Sequence, residues 1–152
     1  MNILKILTPN RVIGNLGEKE AARLLRRKGY RILERNYTAA GSEIDIIARK
    51  KNLTVFVEVK TRNIKHLGKE ITRPAASVTP AKQRKIIKAA GYYLKKNPKD
   101  TRWQFDVIEV YTEGEGKQIK VKNVKHLEAA FDLNSAFDKN YQYIRKKEGS
   151  NL

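Results

Sequence analysis

Glu43-Ile44-Asp45-Ile46-Ile47-Ala48-Arg49, a polar break at Lys50-Lys51-Asn52, then Leu53-Thr54-Val55-Phe56-Val57-Glu58-Val59-Lys60-Thr61: how these residues pair decides the fold of this chain. Both runs are rich in Ile and Val, which suit a pleated and half-buried surface, and the break between them is short, so they predict a β-hairpin. A two-residue turn at Lys51 and Asn52 sets Asp45 opposite Glu58, Glu43 opposite Lys60 and Ile47 opposite Phe56. The other face then pairs Ala48 with Val55, Ile46 with Val57 and Ile44 with Val59, and is uniformly apolar. A slip of one residue would carry carboxylates into the core, so the pattern itself selects this parity. Directly opposed residues hold their Cβ atoms about 4.5–5.5 Å apart, where like charges repel. A proton on one acid, or a cation between Asp45 and Glu58, relieves that repulsion. An ordinary solvated ladder, with Glu43 paired to Lys60, is the alternative.

Working outward, Gly17 to Lys28 predicts a helix with Ala21, Leu24 and Leu25 on one face, closed by Gly29. Tyr30 to Tyr37 reads as a first strand. Arg62 to Val78 has no clean period and reads as a mobile functional loop. Thr79 and Pro80 have the form of an N-cap and first helical residue, opening a helix to about Leu94 with Ile86, Ile87, Ala90 and Leu94 inward. Lys82, Arg84, Lys85, Lys88, Lys95 and Lys96 cover its other faces. Arg102 to Tyr111 and Gln118 to Val124 predict two more strands around a turn at Thr112 to Lys117. From Leu127 the chain reads as a short helix. The expectation is an α/β fold in the order α-β-β-β-α-β-β, a mixed sheet flanked by helices, with residues 1–152 as one domain and 132–152 as a frayed basic tail.

Composition narrows the class. A charged fraction of 32% beside a hydrophobic fraction of 40% argues against an acidic disordered chain. No apolar run approaches the roughly 20 residues of a spanning helix, and Met1 to Asn10, interrupted by Lys5, does not read as a signal peptide. The absence of cysteine excludes disulfides, thiol nucleophiles and zinc knuckles, and fits a cytoplasmic protein. The net charge of +17 favours a polyanion as partner. Residues 1–100 carry sixteen of those seventeen excess charges, and Glu43, Asp45 and Glu58 stand in the most strand-like stretch of that basic region.

The string Glu43-Ile44-Asp45, twelve residues, then Glu58-Val59-Lys60 resembles the active-site pattern of the PD-(D/E)XK nuclease superfamily, the restriction-endonuclease-like fold. With Gly17-Glu18 and Ala21, Gly29-Tyr30, Phe56 to Arg62 and Arg102 to Ile108, the match is similar to the YraN-like family of that superfamily, and more distantly to archaeal Holliday junction resolvases. It covers about residues 11–131. The resemblance implies a restriction-endonuclease-like core and metal-dependent hydrolysis of phosphodiesters in DNA, more than RNA, on branched or damaged structures. It implies Mg²⁺ or Mn²⁺ held by Asp45, Glu58 and the carbonyl of Val59. Lys60 would position or help deprotonate the attacking water and stabilise phosphate charge, and Glu18 would reach the site through a second metal or a water. Glu43 would support these ligands from behind. In place of the family's usual Gly before Glu-Ile-Asp stands Ser42, after Gly41. Junction-cutting relatives dimerise, so a homodimer is a further expectation.

Other residues carry two readings each. Gln83 occupies the place of a supporting polar residue in some superfamily nucleases, or is a surface Gln. Thr61 and Arg62 contact phosphate or merely end a strand; Lys82, Arg84 and Lys85 neutralise phosphates or are simply solvated. His66 and His126 lack ligand partners at metal spacing and read as surface residues. Trp103, Phe105 and Val107 alternate along a strand and read as core. Two other functions fit the sequence: a nucleic-acid-binding module with little turnover, and a membrane-surface or protein-interaction protein acting through charge alone. The expectation is against membrane association.

Overall fold

The computed structural model describes residues 9–64 and 78–137. The segment 1–8, most of the expected loop (65–77, with His66) and most of the expected tail (138–152) lie outside the described residues. The elements run α1 (Pro9–Arg27), β1 (Arg31–Ala39), β2 (Ser42–Lys50), β3 (Leu53–Asn63), α2 (Pro80–Lys96), β4 (Arg102–Glu113), β5 (Lys120–Phe131) and α3 (Leu133–Phe137). The strands form one mixed sheet in the order β1-β2-β3-β4-β5. Only β3 and β4 are parallel, and α2 lies in the crossover between them. No described helix is long and apolar enough to cross a membrane.

The central hairpin has the expected register. Ile46 pairs with Val57, Ile47 with Phe56, Ala48 with Val55 and Lys50 with Leu53, which leaves Lys51 and Asn52 as the turn. The preceding turn is equally tight: Ala39 pairs with Ser42, and Ala40 and Gly41 both take positive φ, 51° and 74°. Two left-handed residues in a two-residue loop match the strand twist of a type I′ hairpin. Gly41 therefore supplies the left-handed position, and Ser42 sits within β2.

Both faces of the sheet are buried, where the sequence predicted one apolar face. Ile46, Ala48, Val55, Val57, Ile108 and Val110 pack beneath α1 residues Ala21, Ala22 and Leu25. Ile47, Phe56, Phe105, Val107 and Phe131 pack beneath α2 residues Ile86, Ala89, Ala90 and Tyr93. Phe56, Phe105 and Phe131 form a stacked row, with centroids 5.6 and 5.1 Å apart. Ile44 also belongs to the α2-side core rather than joining Ile46, because the alternation of β2 breaks at Asp45. Trp103 is 44% exposed, against the core reading, since it stands at the start of β4 beyond Phe105, where that core ends.

Several elements begin or end elsewhere than the sequence predicts. The first helix starts at Pro9, eight residues before Gly17, and runs through Gly14 and Gly17 to Arg27. At Gly17 a Cβ would collide with Thr61 Oγ1, so glycine lets α1 lie directly on β3. α2 begins as predicted: Thr79 Oγ1 accepts from Lys82 N at 3.2 Å, and Pro80 follows. Gln83 and Tyr93 are buried on its inner face, whereas Ile87 and Leu94 are only partly covered. β5 continues to Phe131, with Leu127 paired to Val107, so the helix expected from Leu127 is displaced to Leu133.

Candidate functional site

The β2–β3 ladder runs no further than Ile46 and Val57. Beyond it, Asp45 Oδ2 accepts the Val59 backbone N–H at 2.7 Å. A side chain thus stands where a backbone carbonyl would have bonded, and it wedges Asp45 into the opening between the strands. The expected pairing of Glu43 with Lys60 is lost as a result: Glu43 faces Thr38 across β1, and Lys60 faces Glu109 across β4.

Glu58 projects into this opening and is only 5% exposed. Its Oε1 lies 3.7 Å from Lys60 Nζ and 3.9 Å from Lys82 Nζ. Its Oε2 is buried and receives no donor from the protein. Burial, followed by the charge of Asp45, pushes the Glu58 carboxyl up to about 7 against the opposing pull of Lys82 and Lys60. Asp45 is also raised, because burial outweighs the hydrogen bond from Val59 and the charge of Lys82. The two carboxyls are close enough to share a proton. Like charges brought together on facing strands are what the sequence predicted, and the fold adds the desolvation that makes them costly.

α1 supplies the opposite wall. Seated through Gly17, it brings Glu18 to the same opening, where burial and then Asp45 raise its carboxyl, and Arg35 lowers it. Asn36, with its amide nitrogen turned toward the acids that surround it, donates to Glu18 Oε2 at 3.1 Å and Glu43 Oε1 at 3.2 Å. Asn36 takes φ 52°, a left-handed conformation that Asn tolerates better than most residues. Together these walls frame an open cavity of about 390 Å³, lined by Ile13, Gly14 and Glu18 from α1, Asp45 from β2, and Glu58, Val59, Thr61 and Asn63 from β3.

Several predicted residues therefore meet. Glu18, Asp45, Glu58, Val59 and Thr61 line the cavity, Lys60 and Lys82 flank Glu58, and Glu43 reaches Glu18 through Asn36. Others have structural partners. Gln83 Nε2 donates to the Val78 carbonyl at 2.9 Å, Gln83 Oε1 accepts from Ser135 Oγ at 3.4 Å, and Arg84 Nη1 donates to the Ala136 carbonyl at 2.9 Å. Both fasten α2 to its neighbours. Lys85 is exposed on α2, and Arg62 pairs with Tyr111 farther along β3. Asn36, Asn63, Ile13 and Gly14 were not anticipated; an Asn inside a predicted strand was the one available signal. Among the described residues, no group of three or more His, Cys, Asp or Glu forms a ready-made metal cluster. The acids stand instead as the Asp45–Glu58 pair and the Glu18–Glu43 pair bridged by Asn36.

His126 departs from the surface reading. Its side chain is 2% exposed, with Nε2 2.8 Å from Asp106 Oδ2 and Nδ1 2.9 Å from Lys28 Nζ. The pairing of β4 with β5 joins residues that no sequence spacing connects.

Residues 17–110 match the model of a family described as Uncharacterised protein family UPF0102. The chain belongs to UPF0102. A UPF0102 protein of Caldanaerobacter subterraneus subsp. tengcongensis is 43% identical over 122 residues, covering 80% of this chain and 95% of its own. One from Pelobacter propionicus is 42% identical over 127 residues (82% and 85%), and one from Geobacter metallireducens 43% over 125 residues (82% and 95%). The UPF0102 span begins at the glycine that seats α1 on β3 and ends in β4, so it includes Glu18, Asp45, Glu58, Lys60 and Lys82. Within UPF0102, this chain thus has an α/β fold with a mixed sheet covered on both faces.

Proposed function

We propose that this UPF0102 protein is a Mg²⁺- or Mn²⁺-dependent nuclease with a restriction-endonuclease-like core, hydrolysing phosphodiester bonds in DNA, with branched or damaged structures as substrates. The observation that carries this reading is the desolvated Asp45–Glu58 pair with an orphaned Glu58 Oε2 opening on a cavity, beside Lys60. A buried carboxylate oxygen without a donor is a site short of positive charge. Hard oxygen donors of this kind suit Mg²⁺ or Mn²⁺, which Asp45, Glu58 and the carbonyl of Val59 would hold. The bound ion would supply Lewis acidity to the phosphate and acidity to a water.

The chain's own residues divide the remaining work. Asp45 fixes the Val59 peptide through its N–H, so the backbone beside the site is held while substrate binds. The Lys60 ammonium, already drawn to Glu58, is placed to orient the attacking water and to stabilise charge growing on the phosphate. Glu18, steadied by Asn36 together with Glu43, orients water from the α1 wall. Lys82, Lys85 and Arg62 neutralise the flanking phosphates and the Thr61 hydroxyl donates a hydrogen bond to one, whereas Gln83 and Arg84 hold α2 in position. A homodimer, with one such site in each copy, would suit two strands of a branched substrate.

A nucleic-acid-binding module with little turnover is the second reading. It is favoured by the absence, among the described residues, of a three-acid metal cluster. A panel of supercoiled, duplex, single-stranded, flap and four-way-junction DNA, and RNA, with and without Mn²⁺, separates the two. The nuclease reading expects Mn²⁺-dependent cleavage that Asp45→Asn, Glu58→Gln and Lys60→Ala abolish. It fails if the wild type cuts nothing and the three variants bind as tightly as it does.

A further inference from the structure

Two glycines interrupt α1, and only one of them is explained by packing. At Gly17 a Cβ would collide with Thr61 Oγ1, whereas at Gly14 a Cβ would meet no atom within 4 Å. Glycine inside a helix is unfavourable relative to alanine, because its unfolded chain has more freedom to lose. A helix position with free space and a glycine therefore has no reason within the fold. Gly14 is, however, part of the wall of the carboxylate cavity, and it lies one turn before Glu18 on the same side of α1. The missing side chain leaves bare helix backbone facing the opening where Asp45 and Glu58 meet.

We propose that the sugar-phosphate backbone of a polynucleotide lies against α1 at Gly14, and that the lack of a Cβ there sets how closely a phosphodiester reaches Asp45 and Glu58. Gly14 is on this account a determinant of substrate access; it holds no metal and touches no proton. The inference rests on the nuclease reading above and adds to it the surface along which the strand runs. Gly91 is a built-in control: it is interior to α2, a Cβ there would also meet nothing within 4 Å, and it lines no part of the cavity.

Gly14→Ala, Gly14→Leu and Gly91→Ala, compared with wild type, test this in three measurements: thermal unfolding, Mn²⁺ titration by calorimetry, and cleavage of the DNA that wild type cuts fastest. Both alanine variants are expected to melt higher than wild type and to bind Mn²⁺ unchanged. Gly14→Ala is expected to lower kcat/KM about tenfold, as a misplaced methyl group does in a fitted site, and Gly14→Leu further. Gly91→Ala is expected to cut like wild type. Equal cleavage by Gly14→Ala and wild type overturns the inference and leaves the nuclease reading standing. A loss of Mn²⁺ affinity in Gly14→Ala also overturns it, since the damage would then lie at the carboxylates. If wild type cuts no nucleic acid in Mn²⁺, the nuclease reading fails and this inference falls with it.

Discussion

Two buried acids on neighbouring strands, Asp106 and Glu58, are treated in opposite ways by the same sheet. Asp106 is fully buried and fully partnered: Oδ1 accepts from Gln104 Nε2 at 3.0 Å and Ala129 N at 2.9 Å, and Oδ2 meets His126 Nε2 at 2.8 Å. Glu58 is nearly as buried, yet Oε2 has no donor, two lysines stand no closer than 3.7 Å from Oε1, and a second carboxyl adjoins it. Satisfied polar groups hold a fold together, and unsatisfied ones must be held in place by it. The first arrangement belongs to architecture; on the proposed reading the second belongs to chemistry. Each can be broken separately.

On the nuclease reading, the largest expected effect is on cleavage. Glu58→Gln or Lys60→Ala should lower metal-dependent cleavage by about 10³-fold, the usual scale for removing one preorganised charge from a reacting centre. Circular dichroism and unfolding should show an intact fold. Asp106→Ala should reverse the pattern. It leaves the His126 ring, the Gln104 amide and the Ala129 N–H without their acceptor, and should cost about 3–5 kcal/mol of stability in urea unfolding. Cleavage per folded molecule should be unchanged. If Asp106→Ala abolishes cleavage while remaining as stable as wild type, the division between the two regions is wrong.

A smaller effect concerns pH, and here the sign is opposite to that of an ordinary salt-bridged acid. The folded Glu58 carboxyl titrates near 7, above its ordinary value of 4.5, so between those values the native chain binds more protons than the unfolded one. Without metal, its contribution to stability is therefore highest below pH 4.5 and falls as pH rises to about 7. Glu58→Gln should remove that decline, leaving the variant more stable than wild type at pH 8 by on the order of 3 kcal/mol. Metal-free unfolding curves of both proteins across pH 4 to 8 measure it. An equal pH dependence in the two would show that Asp45, rather than Glu58, carries the proton. Saturating Mn²⁺ should erase the difference above pH 7, if Asp45 and Glu58 hold the ion as the proposed reading expects.

These contrasts also mark what the sequence could express. The hairpin register from Lys50–Leu53 to Ile46–Val57, and the approach of Asp45 to Glu58 just beyond it, were legible because alternation and a two-residue turn leave little choice of parity. The N-cap at Thr79 was legible because its donor lies three residues away. The break in β2 was not: there the Asp45 carboxylate accepts the Val59 N–H in place of a ladder bond and Ile44 lies in the core opposite to that of Ile46. Nor was the Asp106–His126 pair, which depends on how far β5 runs beside β4. Periodicity also predicted one uniformly apolar face of the hairpin, whereas both are buried beneath helices, and it began the first helix at Gly17 although that helix starts at Pro9. Local chemistry is written in neighbouring residues; burial and close approach are decided by residues far away in the chain.

The smallest effect tests whether the basic surface is organised around the site. Each buried acid system has a lysine at its edge: Lys82 lies 3.9 Å from Glu58, and Lys28 donates to His126 Nδ1 at 2.9 Å. With a net charge of +17, any lysine could contribute to loose attraction for a polyanion. Lysines that contact phosphates release counterions on binding, and each one lost reduces the slope of log K against log salt by about 0.9 for duplex DNA. Lys82→Ala should therefore flatten that slope by about one unit, whereas Lys28→Ala should leave it unchanged because its ammonium serves the His126 ring. Fluorescence anisotropy with a labelled duplex, in Ca²⁺ to suppress cleavage and across a salt series, reads both slopes directly. Equal losses from the two lysines would mean that the duplex feels only the protein's total charge. A loss confined to Lys82 would place the phosphates beside Glu58, whose Oε2 has no donor, as the proposed nuclease reading expects.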